Sequence, residues 1–235
     1  SAGLCIRFVS DTPRMSARWR VLNDELSFEH MPATGVSGLD LYVNDNGVWR
    51  WVAVGQPEAK TTQALLAGDI PGGSHEYMLY LPLYNGVESL EIGVAPAATI
   101  TKAPARPAGK DKPVLFYGTS ITQGGCASRP GMAYPAILGR RLNRPVINLG
   151  FSGSARMEDE LAKLIAEVDA AVYVLDCLPN MTPASVAERV KPFIMAVRDT
   201  RPDTPIVLVG NIFYQAGAFL PVYRTDYTDK NAALK

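Results

Sequence analysis

Apolar side chains along the first hundred residues return at every second position. Leu4, Ile6 and Phe8 alternate with Cys5 and Arg7, and "ARWRV" alternates again through Trp19 and Val21, the period of half-buried strands. In "LDLYVNDNGVWRWVAV", two β-rich runs flank Asn44-Asp45-Asn46-Gly47, a composition that accepts positive φ cheaply and predicts a hairpin. "HEYMLYLPLY" and "LEIGVAP" continue the series of short strands, and no helical period of useful length interrupts it. Residues 1–100 therefore read as an antiparallel β-sandwich or jelly roll. "TKAPARPAGKDKP" (101–113) has no periodicity and reads as a linker. From 114 to 235 the pattern changes. "PVLFYG", "PVINLG", "AVYVLDC" and "PIVLVG" are short, wholly apolar runs of the sort that form parallel strands buried on both faces.

Helical patterns separate those runs. "MEDELAKLIAEV" places Leu161, Leu164, Ile165 and Val168 on one face behind an acidic first turn. Thr182-Pro183 announces another helix, with an apolar stripe at Val186, Val190, Ile194 and Val197 and a kink expected at Pro192. Strand alternating with helix predicts an α/β domain around a parallel sheet, with ligands beyond the carboxyl ends of its strands.

Composition narrows the partners. The 23 basic and 23 acidic residues balance, so there is no electrostatic footprint for nucleic acid, and no apolar run reaches the roughly 18 residues of a membrane span. Three cysteines (Cys5, Cys126, Cys177) and two histidines (His30, His75) form no zinc-type spacing. The start "SAGLCIRF" lacks both an initiator Met and a signal-peptide pattern, which fits a processed or trimmed chain.

Chemistry is then sought in the loops after the four apolar runs. The first offers Gly118-Thr119-Ser120, the second "NLGFSGSA" with Gly150 and Gly153, the third "DCLPNMTP" with Asn180. Taken singly, each has a bland reading. Ser120 serves equally as a turn or capping residue, Gly153 as backbone geometry and Asn180 as a turn residue. "GTSITQGG" lacks the Gly-Lys-Ser/Thr ending of a phosphate loop, and "GFSGSA" does not fit a dinucleotide fingerprint. Together, a serine, an approachable glycine N–H and an asparagine amide at one sheet edge suit a nucleophile with an oxyanion hole.

"YGTSITQGG", "NLGFSGSARME" and "DCLPNM" resemble the first three sequence blocks of the SGNH hydrolases, or GDSL-type esterases. "GLDLYV" (38–43) resembles the Gly-x-Asp-Leu-Tyr signature of a β domain that precedes one bacterial subfamily. The resemblance implies a flavodoxin-like α/β/α hydrolase domain behind a β-sandwich. It implies Ser120 as nucleophile, with Ser120, Gly153 and Asn180 as oxyanion donors. It further implies a small acyl ester substrate, acetyl on a carbohydrate, and no metal or organic cofactor; the compartment stays open, with a periplasmic or secreted setting favoured over the cytoplasm. Leu178 and Met181 flank Asn180 where many members carry Gly and Asp, and Thr119 stands where many carry Asp; these variants fit the subfamily.

The family's base, a histidine three residues after an aspartate, has no counterpart in the sequence. The expectation is a base beyond Lys235. The alternatives are a non-catalytic carbohydrate-binding protein on this scaffold, or recruitment of His30 or His75. Cys126 and Cys177, beyond strands that the family's sheet order makes neighbours, are either a disulfide pair or two packed thiols. Trp49 and Trp51 share a strand face, and the sandwich core is their expected place rather than a sugar platform. Asp40 and Tyr42 either buttress their hairpin or reach toward the site.

Overall fold

The alternating segment folds into eight strands: β1 (Cys5–Ser10), β2 (Met15–Val21), β3 (Leu39–Asp45), β4 (Val48–Gly55), β5 (Thr61–Ala67), β6 (His75–Tyr80), β7 (Val87–Val94) and β8 (Ile100–Lys102), with one helical turn, α1 (Ala33–Val36). The computed structural model describes residues 2–235. Two antiparallel sheets form, in the orders β4-β3-β6-β1-β8 and β5-β2-β7. Met15, Ala17, Trp19 and Val21 of the smaller sheet are buried with Phe8, Leu39, Leu41, Tyr77 and Leu79 of the larger, so the two inner faces make one sandwich core. The β3–β4 turn is the predicted one: Asn46 and Gly47 take φ of 52° and 88° between the paired Asp45 and Val48.

The tryptophans are a correction. Trp19 fills the sandwich, 1% exposed, with its indole N–H donating to the Ser37 carbonyl at 3.1 Å. Trp49 packs instead against Tyr42, Met78, Tyr80 and Ala136, and Trp51 is 50% exposed. Both stand outside the core because the inward positions of β3 are Leu39 and Leu41, while the register shift between Leu41 and Tyr42 brings Trp51 opposite Tyr42.

The second half carries β9 (Val114–Gly118), β10 (Val146–Gly150), β11 (Val172–Asp176) and β12 (Ile206–Leu208). With them come α2 (Ser120–Gln123), α3 (Tyr134–Leu142), α4 (Asp159–Glu167), α5 (Pro183–Thr200) and α6 (Pro221–Ala233). The strands form a parallel sheet in the order β10-β9-β11-β12, and β9 is buried along its whole length. Leu115, Tyr117, Tyr173 and Leu175 pack with Ala162 and Ile165 of α4 and with Val186, Val190, Phe193 and Val197 of α5. Thr182 caps α5 as expected, its hydroxyl accepting from the Ser185 N–H in a capping box. α5 is one helix through Pro192, which sits on its exposed side where water can serve the carbonyl that loses its partner. Leu164 is 55% exposed, while Leu161 and Val168 pack against the core that buries Ala162, Ile165 and Ala166.

Two compact units result. One comprises the chain up to Asp111 together with Gln123–Arg144, and the other comprises Lys112–Thr122 with Pro145–Lys235. In the first unit, Ala133 packs with Met31, Val36 and Leu83, and Ala136 with Tyr42, Met78 and Tyr80. No helix among the described residues is long and apolar enough to cross a membrane.

Candidate active site

Strand register brings three loops to one edge of the parallel sheet. Gly118 of β9 pairs with Gly150 of β10 on one side and with Asp176 of β11 on the other. Ser120, Gly153 and Asn180 lie shortly beyond those three paired residues, at the carboxyl end of the sheet. Ser120 is half-buried and opens α2. Gly153 is exposed, with φ of 72°. Asn180 ends a 3-10 turn, Leu178–Asn180, and its side-chain amide donates to the Ser154 carbonyl, tying the third loop to the second.

Residues that the sequence reading left unassigned hold the Ser120 turn. Thr122, wholly buried, donates its hydroxyl to Asp176 Oδ2 at 3.0 Å, and its carbonyl accepts from Asn148 Nδ2 at 2.8 Å. Asn148 Oδ1 accepts the Gly150 N–H at 2.9 Å, so one side chain links the end of β10 to α2. Gly118 has no space for a side chain, since a Cβ there would stand 2.1 Å from Thr122 Oγ1. Asp176 was legible as a signal: a carboxylate closing the apolar run "AVYVLD" needs a partner.

The second loop is strained. Ala155 and Met157 take φ of 59° and 56°, a region that costs of order 1–3 kcal/mol for a residue with a Cβ. Both are about 1% exposed and belong to the core that includes Tyr117 and Cys177, which holds them there. The Tyr117 hydroxyl donates to Glu158 Oε2, which also accepts the Arg156 N–H at 2.9 Å. Burial, then the bond to Glu158, pushes the Tyr117 phenol up. The Glu158 carboxyl is opposed by burial, but the bonds from Tyr117 and Arg156 hold it below its ordinary range.

Cys5, Cys126 and Cys177 stand as free thiols, Cys5 and Cys126 exposed and Cys177 buried. Cys177 is fully buried beside the Tyr117 carbonyl, and burial, with the neighbouring Asp176, pushes its thiol up. His30 is exposed and stacks on Phe28, and His75 Nε2 lies 3.1 Å from the Pro71 carbonyl. His75 also lines a cavity of about 600 Å³ in the N-terminal unit with Asn44, Arg50, Asp69 and Tyr77; Ser120, Gly153 and Asn180 do not line it.

Within the N-terminal unit, Asp40 and Tyr42 face away from the sandwich core toward the turn Arg129–Met132. Asp40 is fully buried. Its Oδ2 accepts the Gly131 N–H at 2.8 Å, its Oδ1 accepts the Trp51 indole N–H at 3.0 Å, and Arg129 Nε is paired with Oδ1 at 3.3 Å. Gly131 is required: a Cβ would meet Tyr42 Cε2 at 2.5 Å and Asp40 Oδ2 at 2.7 Å. Gly131→Ala should therefore cost about 1–3 kcal/mol, read as a lower urea midpoint with an unchanged slope.

Burial raises Asp40 from 3.8 to about 6, against the lowering by the Gly131 N–H, Arg129 and Trp51. The folded state then holds its proton to higher pH than the unfolded chain does. Asp40's contribution to stability is full below about pH 4 and is lost as pH rises through about 6, a change on the order of 3 kcal/mol. The unfolding free-energy gap between the wild type and Asp40→Asn should shift by that order between pH 4 and 7. A gap independent of pH would refute the assignment.

Residues 111–235 match the GDSL-like lipase/acylhydrolase family, and residues 1–100 match the domain described as the N-terminus of SGNH-hydrolase-type esterases. A protein from Bacteroides ovatus described as a GDSL-like lipase superposes with a TM-score of 0.93 at 39% identity, over 100% of this chain and 68% of that one. The salicylyl-acyltransferase SsfX3 of a tetracycline biosynthetic pathway gives 0.75 at 19% identity, over 99% of this chain and 65% of that one. A family two carbohydrate esterase from Clostridium thermocellum, solved with cellohexaose, gives 0.64 at 16% identity, over 100% of this chain and 80% of that one. The chain thus spans about two thirds of the length of the first two, and with the last two it shares a fold. A search of curated protein sequences finds no match.

Proposed function

The chain belongs to the GDSL-like lipase/acylhydrolase family, and from that premise we propose that it hydrolyses small acyl esters, acetyl esters of carbohydrates above all, through an acyl-enzyme on Ser120. The observation that carries the proposal is the register of the parallel sheet, in which Gly118, Gly150 and Asp176 stand side by side and each leads into a loop with one predicted catalytic group. The carbohydrate part leans on the fold shared with the Clostridium thermocellum carbohydrate esterase, and a periplasmic or secreted setting suits such substrates.

In this reading Ser120 Oγ gives its proton to a general base and attacks the ester carbonyl, the carbonyl oxygen becomes an oxyanion, and its collapse expels the leaving oxygen, which takes that proton and departs as the alcohol to leave an acyl group on Ser120. Water then attacks the acyl-enzyme through a second oxyanion and releases the acid. The donors to both oxyanions are the Ser120 and Gly153 backbone N–H groups and the Asn180 amide. Asn180 Nδ2 donates to the Ser154 carbonyl, so it exchanges a backbone acceptor for the developing charge. Asn180→Ala should lower kcat by about 10²–10³-fold with KM little changed, measured on p-nitrophenyl acetate.

The fold shared with the Clostridium thermocellum carbohydrate esterase, solved with cellohexaose, supports one alternative, a carbohydrate-binding protein without turnover. Treating the natural protein with a fluorophosphonate separates the two. Addition of one phosphonyl group to Ser120, located by peptide mass mapping, with concurrent loss of p-nitrophenyl acetate hydrolysis, supports the esterase. Absence of both label and hydrolysis, with cellohexaose binding by calorimetry, supports the alternative.

A further inference from the structure

The loop 151–158, between β10 and α4, carries Gly153, and one side chain of β9 holds both of its ends. At the start of the loop, the Phe151 N–H donates to the Gly118 carbonyl at 2.8 Å. The Phe151 ring meets the Tyr117 ring edge-on, with centroids 6.1 Å apart. At the end of the loop, the Tyr117 hydroxyl donates to Glu158 Oε2, which also accepts the Arg156 N–H at 2.9 Å. Tyr117 is wholly buried and stacks on Phe193 of α5, so neither end of the loop shifts without disturbing a ring packed in the core. Three residues after Tyr117 the chain reaches Ser120, and Tyr117, Ser120 and the whole loop belong to one compact unit.

Between those ends the carbonyls are taken. Arg156 Nη2 donates to the Gly153 carbonyl at 3.2 Å, and Asn180 Nδ2 donates to the Ser154 carbonyl. Among the described residues no acceptor takes the Gly153 N–H. Ala155 and Met157 both hold positive φ, a state that persists only where the surroundings over-determine it. Arg156 stands between these two strained residues, and Glu158 holds its N–H. We propose that Glu158 is a positioning residue for the ester hydrolysis: anchored by Tyr117, it clamps the Arg156 peptide and so keeps the Gly153 N–H presented to the oxyanion. The inference rests on the reading of Ser120 as nucleophile and Gly153 as oxyanion donor. One oxygen accepting from a phenol and an amide is what the clamp needs; an aliphatic side chain there would leave the Tyr117 hydroxyl and the Arg156 N–H unpaired.

The test uses the natural protein and its Glu158→Ala, Glu158→Gln and Tyr117→Phe variants. The readouts are kcat and KM on p-nitrophenyl acetate, and inhibition by methylboronic acid, whose tetrahedral adduct on a serine hydroxyl places a negative oxygen where the oxyanion forms. Glu158→Ala should lower kcat about tenfold or more while KM stays within about twofold, the split expected when geometry rather than substrate binding is lost. Its Ki for methylboronic acid should rise by about the factor by which kcat falls, because both report the oxyanion donors. Glu158→Gln should recover most of the loss, since an amide oxygen can accept from both Tyr117 and Arg156.

Tyr117→Phe keeps the ring against Phe151 and Phe193 and removes only the hydroxyl that anchors Glu158. It should lower kcat and raise the boronate Ki together, by less than Glu158→Ala does. If Glu158→Ala does not fold, Tyr117→Phe decides alone, and wild-type kcat and Ki there overturn the inference. A folded Glu158→Ala with wild-type kcat, a fall in kcat with an unmoved Ki, or a Glu158→Gln as slow as Glu158→Ala also overturns it. Each of these leaves the esterase reading standing. A wild type without hydrolysis sinks the esterase reading itself, and this inference with it.

Discussion

Ser120→Ala should reduce kcat for ester hydrolysis by roughly 10⁶-fold, the loss typical when the nucleophile of a serine hydrolase is removed. Such a loss exceeds the expected effect of Asn180→Ala by three orders of magnitude or more, because the oxyanion donors act only on an intermediate that the nucleophile must first create. For the same reason the Ser120→Ala, Asn180→Ala double variant should be hardly slower than Ser120→Ala alone. Stability should change by no more than about 1 kcal/mol, since Ser120 is half-buried at the start of a short helix and alanine suits helices. Steady-state rates on p-nitrophenyl acetate, with urea unfolding as the control, check both parts. A well-folded Ser120→Ala that retains wild-type turnover would remove the covalent mechanism. Multiplicative losses in the double variant would mean that Asn180 acts elsewhere.

The parts of this site that could be read in the sequence are those that depend on local pattern. Four apolar runs marked the strands, and the loops after three of them delivered Ser120, Gly153 and Asn180 to one edge because parallel pairing aligns carboxyl ends. What could not be read depends on which residues far apart in the chain meet. Trp49 and Trp51 looked like core because they are large, but the sandwich interior was already filled by Trp19, and no local period says which of two tryptophan-bearing strands turns its aromatic face inward. Leu164 looked like part of a helix face, yet it is exposed, and the buried positions of α4 are Ala162, Ile165 and Ala166. Asp40 and Tyr42 stood out as polar positions between buried leucines; their partner, a glycine ninety residues away in the sequence, did not. The network from Thr122 to Asn148 and Asp176 was hidden for the same reason, although a carboxylate at the end of an apolar strand gave half of it away.

Excising residues 112–235, the stretch that carries the family's hydrolase pattern, should leave the segment after α2 without its fold. Gln123–Arg144 clusters with the β-sandwich. Its Ala133 shares a small core with Met31, Val36 and Leu83, its Ala136 another with Tyr42, Met78 and Tyr80, and Gln123 Nε2 donates to the Leu83 carbonyl at 3.3 Å. Gly124 belongs to the same contact, since a Cβ there would come within 2.8 Å of Leu83. Cutting the chain at Lys112 removes every one of those partners and strips Gly131 and Arg129 of Asp40. Apolar burial at about 25 cal/mol per Å² and several charge-assisted bonds disappear together, against a net stability of only about 5–15 kcal/mol for a whole domain. Amides from Gly124 to Arg144 should exchange with solvent at least ~10²-fold faster in the fragment than in the intact chain, while β9 and β11 amides, paired within their own sheet, should keep the larger share of their protection. Equal protection of Gly124–Arg144 in fragment and intact chain would mean that this segment folds on its own and that the Asp40 contacts hold nothing in place. Loss confined to that segment would make Gln123–Arg144 part of the fold of the N-terminal unit, although it lies in the sequence between β9 and β10.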